Sequence, residues 1–133
     1  MGRFLAFAFV ALSTVIALAA CGGTDPMETP PTFTNVQTRV FNLSCNISRS
    51  CHVGSSAAGV LNLEDPAYAR LMRPAVADPT KMLVVPGDPD HSYIMDKLLN
   101  RNVGNLYMPP TGMIEMERID LVKRWIAAGA PND

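Results

Sequence analysis

Histidine is scarce in this chain, with two in 133 residues, and cysteine is scarce too, with three. Aromatic residues make up 7%, including a single tryptophan. So few large side chains predict a thin hydrophobic core. Neither charge sign dominates, since 11 Lys and Arg stand against 12 Asp and Glu. That near-balance excludes the basic excess that nucleic acid binding exploits. No G-x-S-x-G, H-E-x-x-H or phosphate loop occurs, and the carboxylates are scattered or sit at expected helix starts. The chain therefore reads as a non-enzyme with no evident small-molecule substrate. No internal repeat is visible.

Charged side chains are also missing from most of the N-terminus, where Arg3 is the only one before Asp25. Residues 4–20 are apolar or small, broken only by Ser13 and Thr14. That run is long for a secretory signal core and short of the roughly 20 residues a spanning helix needs. It ends in Leu18-Ala19-Ala20-Cys21: an apolar residue, two small ones, then cysteine. This resembles the lipobox of bacterial lipoprotein signals, which are cleaved just before a cysteine that then carries lipid. The resemblance implies a signal peptide over 1–20 and lipidation of Cys21; a plain signal peptide or a membrane anchor is the alternative. Several acyl chains, at about 0.8 kcal/mol per buried CH₂, would anchor the protein stably to a membrane. Gly22, rather than Asp, follows the cysteine. By resemblance to lipoprotein sorting, that permits the outer membrane, facing the periplasm or the cell surface.

Residues 21–32 hold Gly22, Gly23, Pro26, Pro30 and Pro31 with little apolar content. Such a stretch buries too little surface to fold and reads as a flexible tether. The folded domain is expected over 33–133. Its pattern is all-α, with about four short helices and long loops. The first spans 34–45, with Thr34 as cap, Val36, Val40 and Leu43 on one stripe and Phe41 beside it. Asp65-Pro66 signals the start of a second, over 67–72. Ser92 caps a third through 99, with Ile94 and Leu98 on one face, and 100–107 is loop. The last, over 115–128, has Ile119, Val122 and Ile126 on its face, Leu121 and Trp125 widening it, and Gly129 ending it.

Cys45 and Cys51 remain as a pair in an exported, oxidising setting. Three uses suit them: attaching haem, forming a disulfide, or holding a metal. Cys51-His52 favours the first, because c-type haem is attached by two thiolates that add to its vinyl groups, with the next histidine taking the iron. Met108, followed by Pro109 and Pro110, suits the sixth iron ligand. His91, Met113 and Met116 are the competing candidates. Residues 46–50 place five positions between the cysteines, where the common motif has two.

Further pieces extend this pattern: Val40-Phe41 before Cys45, Cys51-His52-Val53-Gly54, Val85-Pro86-Gly87-Asp88-Pro89-Asp90-His91-Ser92-Tyr93, Lys97-Leu98, Met108-Pro109-Pro110 and Trp125-Ile126-Ala127-Ala128-Gly129-Ala130. In this order they resemble the small cytochrome c-like domains of secreted planctomycete and myxobacterial proteins. The resemblance covers residues 34 to 131. It implies a class I cytochrome c fold with haem c on Cys45 and Cys51, His52 proximal and Met108 distal. The implied function is one-electron transfer with redox partner proteins, from a membrane tether. The long cysteine spacing departs from the pattern. A haem-free lipoprotein stapled by a Cys45–Cys51 disulfide, serving as a binding or assembly module, is the alternative. A zinc site from Cys45, Cys51, His52 and His91 matches no common module.

The lipidation reading predicts a mature protein that begins at an acylated Cys21. Mass spectrometry of the N-terminal peptide checks it, and an unacylated Cys21 or a retained Met1 refutes it.

Overall fold

The computed structural model describes residues 28–101 and 108–133. The expected signal peptide, Cys21, most of the tether and most of the 100–107 loop lie outside the described residues. Among the described residues there are four helices and no β-strand, only an isolated bridge between Pro74 and Met82. The domain is thus all-α. None of these helices is long and apolar enough to cross a membrane.

Helix α1 opens at Phe33. Thr32 caps it, its Oγ1 accepting from the Asn35 N–H at 3.1 Å. Thr34, the expected cap, instead donates its hydroxyl to the main-chain oxygen of Asp133 at 2.8 Å. After one α-helical turn, Phe33–Val36, α1 continues as a π-helix over Gln37–Cys45. The wider i→i+5 winding ends with the Asn46 N–H donating to Phe41 O at 3.0 Å. It also changes the buried face. Val36, Val40, Phe41 and Ser44 point inward, but Leu43 is 57% exposed. Leu43 was expected on the apolar stripe because an i, i+4, i+7 pattern assumes the tighter α-helical turn.

Helix α2 is Tyr68–Leu71, with Ala67 rather than Asp65-Pro66 at its entrance. The Ala67 N–H is held by Gln37 Oε1 at 3.2 Å. Helix α3 is Tyr93–Leu98. Ser92 is its N-cap residue, as expected, but the side chain makes no capping bond. Its buried hydroxyl closes the preceding turn instead, accepting from the Val85 N–H and donating to Asp88 O, both at 2.8 Å.

Helix α4, Met116–Ala127, ends as expected. Gly129 adopts φ +96°, and its N–H donates to Ile126 O at 2.9 Å while the Ala130 N–H donates to Trp125 O at 3.0 Å. That pair of bonds is the Schellman arrangement, which needs a residue tolerant of the left-handed region. Ile126 O also accepts from the Gly87 N–H at 2.8 Å, so the proline-rich turn before α3 docks on the end of α4.

The core lies where α1, α2 and α4 meet. The Phe33 ring packs 5.2 Å from Tyr68, 5.5 Å from Trp125 and 6.5 Å from Phe41, centroid to centroid. Ring pairs at these distances add to plain area burial, and those with Phe41 and Tyr68 are edge-on. Both chain ends of the domain are tied into this cluster. Asp133 Oδ1 accepts from the Phe33 N–H at 2.6 Å, the Trp125 indole donates to Pro131 O at 2.9 Å, and the Tyr68 hydroxyl donates to Ala130 O at 2.8 Å.

Gln37 is the buried polar residue that orders the loop side of α1. Its Nε2 donates to Asn42 Oδ1 at 2.8 Å and to Leu63 O at 2.9 Å, while Oε1 serves Ala67. Gln37→Leu keeps the volume and orphans the Ala67 N–H, and an orphaned buried donor costs about 1–3 kcal/mol. The expected result is an unfolding free energy lowered by that amount, measured by urea denaturation followed by circular dichroism.

Candidate functional site

The end of α1 delivers Cys45 to a cavity of about 480 Å³, a volume in the usual range for a bound organic ligand. Cys45, Cys51 and His52 line one part of it. Tyr93, Ile94, Lys97 and Leu98 of α3 line another, and Met108 to Thr111 line a third. The four residues expected to carry the chemistry, Cys45, Cys51, His52 and Met108, therefore border one space.

Local hydrogen bonds explain the placement of the first wall. The His52 N–H donates to Cys45 O at 3.0 Å, closing the chain across the long insert. The Cys51 N–H donates to Ser48 O at 3.0 Å. Residues 47–50 are exposed, so the extra length bulges into solvent and leaves the cavity wall intact. Beyond the histidine, the Leu63 N–H donates to His52 O at 2.9 Å. Glu64 then accepts from Asn62 Nδ2 at 2.9 Å and from the Gly54 N–H at 3.0 Å, and these two bonds hold its carboxyl below the usual range.

The His52 ring is oriented by a carbonyl. Its Nδ1 lies 2.8 Å from Leu61 O. A carbonyl only accepts, so Nδ1 carries a proton, and in the neutral ring Nε2 then keeps its lone pair. Metal-bound histidines are commonly fixed in this way by an acceptor on the other ring nitrogen.

Both cysteines are free thiols, each half-buried. Burial, and then the neighbouring Cys51, push the Cys45 thiol up to about 12. Ser48 Oγ lies 3.1 Å from Cys51 Sγ.

On the opposite wall, the Met108 N–H donates to Lys97 O at 3.0 Å, which pins this segment to the end of α3. Pro109 and Pro110 follow in a turn closed by the Gly112 N–H on Pro109 O at 3.2 Å. The competing ligands are not on the cavity. Met113 and Met116 are 60% and 61% exposed. The His91 side chain is 80% exposed and lies 2.7 Å from Asp88 Oδ2, a hydrogen bond that lowers the Asp88 carboxyl below its usual range. Among the described residues no three His, Cys, Asp or Glu side chains are grouped to hold one metal ion. The zinc set of Cys45, Cys51, His52 and His91 is therefore not brought together.

The structure adds residues that sequence reasoning had not assigned to the site. Arg73 lines the cavity, and its buried Nε has no hydrogen-bond partner, while Nη2 donates to Val60 O at 2.5 Å. Arg73 sits between Met72 and Pro74, and nothing in that pattern separates it from a surface arginine. The Leu61 carbonyl is backbone and carries no sequence signal.

The fit to haem c rests on this donor set. A thiol pair sits beside a histidine with Nε2 available, a thioether lies on another wall, and an unsatisfied guanidinium N–H borders the same apolar space. That last group suits a carboxylate substituent of the ligand.

In the haem-free chain, the raised Cys45 thiol should resist iodoacetamide at pH 8, because the thiolate is the reactive form. It should label readily once urea unfolds the protein. Peptide mapping checks this, and equal labelling of Cys45 in both states would contradict its burial.

Comparison with known proteins finds no match: no family model fits the chain, and no curated protein or solved structure matches it.

Proposed function

We propose that this chain is a membrane-tethered c-type cytochrome that carries one electron at a time between protein partners. The observation that carries this reading is the shared cavity bordered by Cys45, Cys51, His52 and Met108. On this reading the domain has a class I cytochrome c-like fold, with Cys45 and Cys51 as thioether sites. His52 Nε2 and the Met108 sulfur would be the axial iron ligands. Iron held by His and Met supplies reversible one-electron chemistry at a raised potential. With His52 and Met108 both holding the iron, the site would favour electron transfer over reactions that need an open coordination site.

The chain's own residues would do the rest. Leu61 O holds the imidazole in the ligating tautomer. The bond from Met108 N–H to Lys97 O keeps the thioether at the cavity. Arg73 Nε would pair with a carboxylate of the cofactor. Lipid on Cys21 would keep the domain at a membrane outside the cytoplasm, where thiol chemistry and haem attachment both take place.

The second reading is a haem-free, disulfide-stapled lipoprotein. Its support is the pair of half-buried free thiols, with Cys51 close enough to help raise the Cys45 thiol.

Expression with the native signal and a c-haem maturation system separates the two. A sharp reduced α-band, with haem retained on a denaturing gel, supports the cytochrome. Met108→Ala should then abolish the low-spin His/Met spectrum, while Met113→Ala and Met116→Ala leave it unchanged. A colourless protein with Cys45 linked to Cys51 in a non-reducing peptide map withdraws electron transfer as the function.

A further inference from the structure

The outer face of α1 and the insert that follows it has no role in the cavity. Arg39, Leu43, Ile47 and Arg49 are all exposed there, Ile47 by 64%. Along the chain, the two large apolar side chains Leu43 and Ile47 lie between the guanidinium groups of Arg39 and Arg49. No Asp or Glu occurs between Glu28 and Glu64. Two acidic side chains near the ends of α1 are already paired. Glu28 bonds to Arg124 at 3.0 Å, and Glu115 bonds at 3.2 Å to Arg118, which also donates to Ser44 Oγ. The stretch is therefore apolar and cationic with no acidic residue of its own, the composition of an interfacial membrane contact.

The tether supplies the second argument. Arg124 also donates to Thr29 O at 3.1 Å, so the domain's attachment to α4 begins by Glu28. Only residues 22–27 separate that point from Cys21, so the chain between them spans at most about 25 Å fully extended. The first helix after this leash is α1 itself. A domain held that close meets the lipid surface at high effective concentration, so weak surface contacts suffice.

We propose that Arg39, Leu43, Ile47 and Arg49 dock the domain on an anionic lipid surface, with Leu43 and Ile47 entering the headgroup layer. This rests on the lipoprotein reading of Cys21.

The test is hydrogen exchange on the mature lipidated protein, reconstituted in phosphatidylglycerol-containing vesicles, in phosphatidylcholine vesicles and in detergent. The amides of residues 46–50 should exchange several-fold more slowly on phosphatidylglycerol than in detergent. High salt should remove the arginine contribution. The paired variant Arg39→Glu, Arg49→Glu and the paired variant Leu43→Ser, Ile47→Ser should each restore the detergent rate. All four side chains are exposed, so both variants keep the fold. Identical exchange in the three media overturns the docking, as does slowing that survives both variants or appears only when a redox partner protein is added. The mass of the N-terminal peptide is read from the same sample. An unacylated Cys21 removes the tether, and with it the premise, independently of the exchange result.

Discussion

The crossing of α1 and α4 is the constraint on which the rest of the domain depends. Phe33 sits at that crossing, with Trp125 on one side, Tyr68 on another and Phe41 one helical stretch along. In a chain with so few aromatics, gathering four of them at one point concentrates much of the available burial energy there. The contact also sets the direction of α1, because Asp133 grips its first residues through Phe33 and Thr34. Once α1 is aimed, its far end carries Cys45 into the cavity, and Gln37 draws in the chain near Leu63 and Ala67. The end of α4 completes the frame by holding Gly87, and with it the turn that leads into α3.

The cavity has one wall made from sequence neighbours and another brought from far along the chain. The first is stabilised by short-range backbone bonds around Cys45, Cys51 and His52. The second depends on α3, which is itself positioned through Ser92 and the 85–92 turn. Lys81 at 3.0 Å and Arg101 at 3.4 Å both pair with Asp96 and add polar contacts along the same helix. The sulfur and nitrogen donors border an apolar space, and among the described residues no three His, Cys, Asp or Glu side chains are grouped to hold one ion.

Much of this was legible in the sequence because it depends on local chemistry. Helix α4 shows its period, its acidic first turn and its terminal glycine, and Met116–Ala127 follows. Cys51-His52 and Met108-Pro109-Pro110 identify themselves by composition, and the fold places them on one cavity. What was not legible depends on distant partners. Thr34 has the chemistry of a cap, yet the capping residue is Thr32, because Asp133 engages Thr34. Leu43 has the spacing of a core residue for an α-helix, but the π-helical winding turns it outward. Ser92 has the position of a cap, but its hydroxyl serves the turn before it. Arg73 and the Leu61 carbonyl acquire meaning only once the chain has folded around them.

The neck beneath the 46–50 insert has a consequence for how spacing in such a motif is to be understood. The 3.0 Å bond from the His52 amide to the Cys45 carbonyl measures across the base of the loop, not along it. Lengthening a solvent-facing loop costs entropy only logarithmically, so residues added above the neck change the count between the cysteines at little energetic expense. What the neck holds fixed in this chain is a distance across the fold. A search pattern written in residue numbers would pass over chains that keep this distance by a different count.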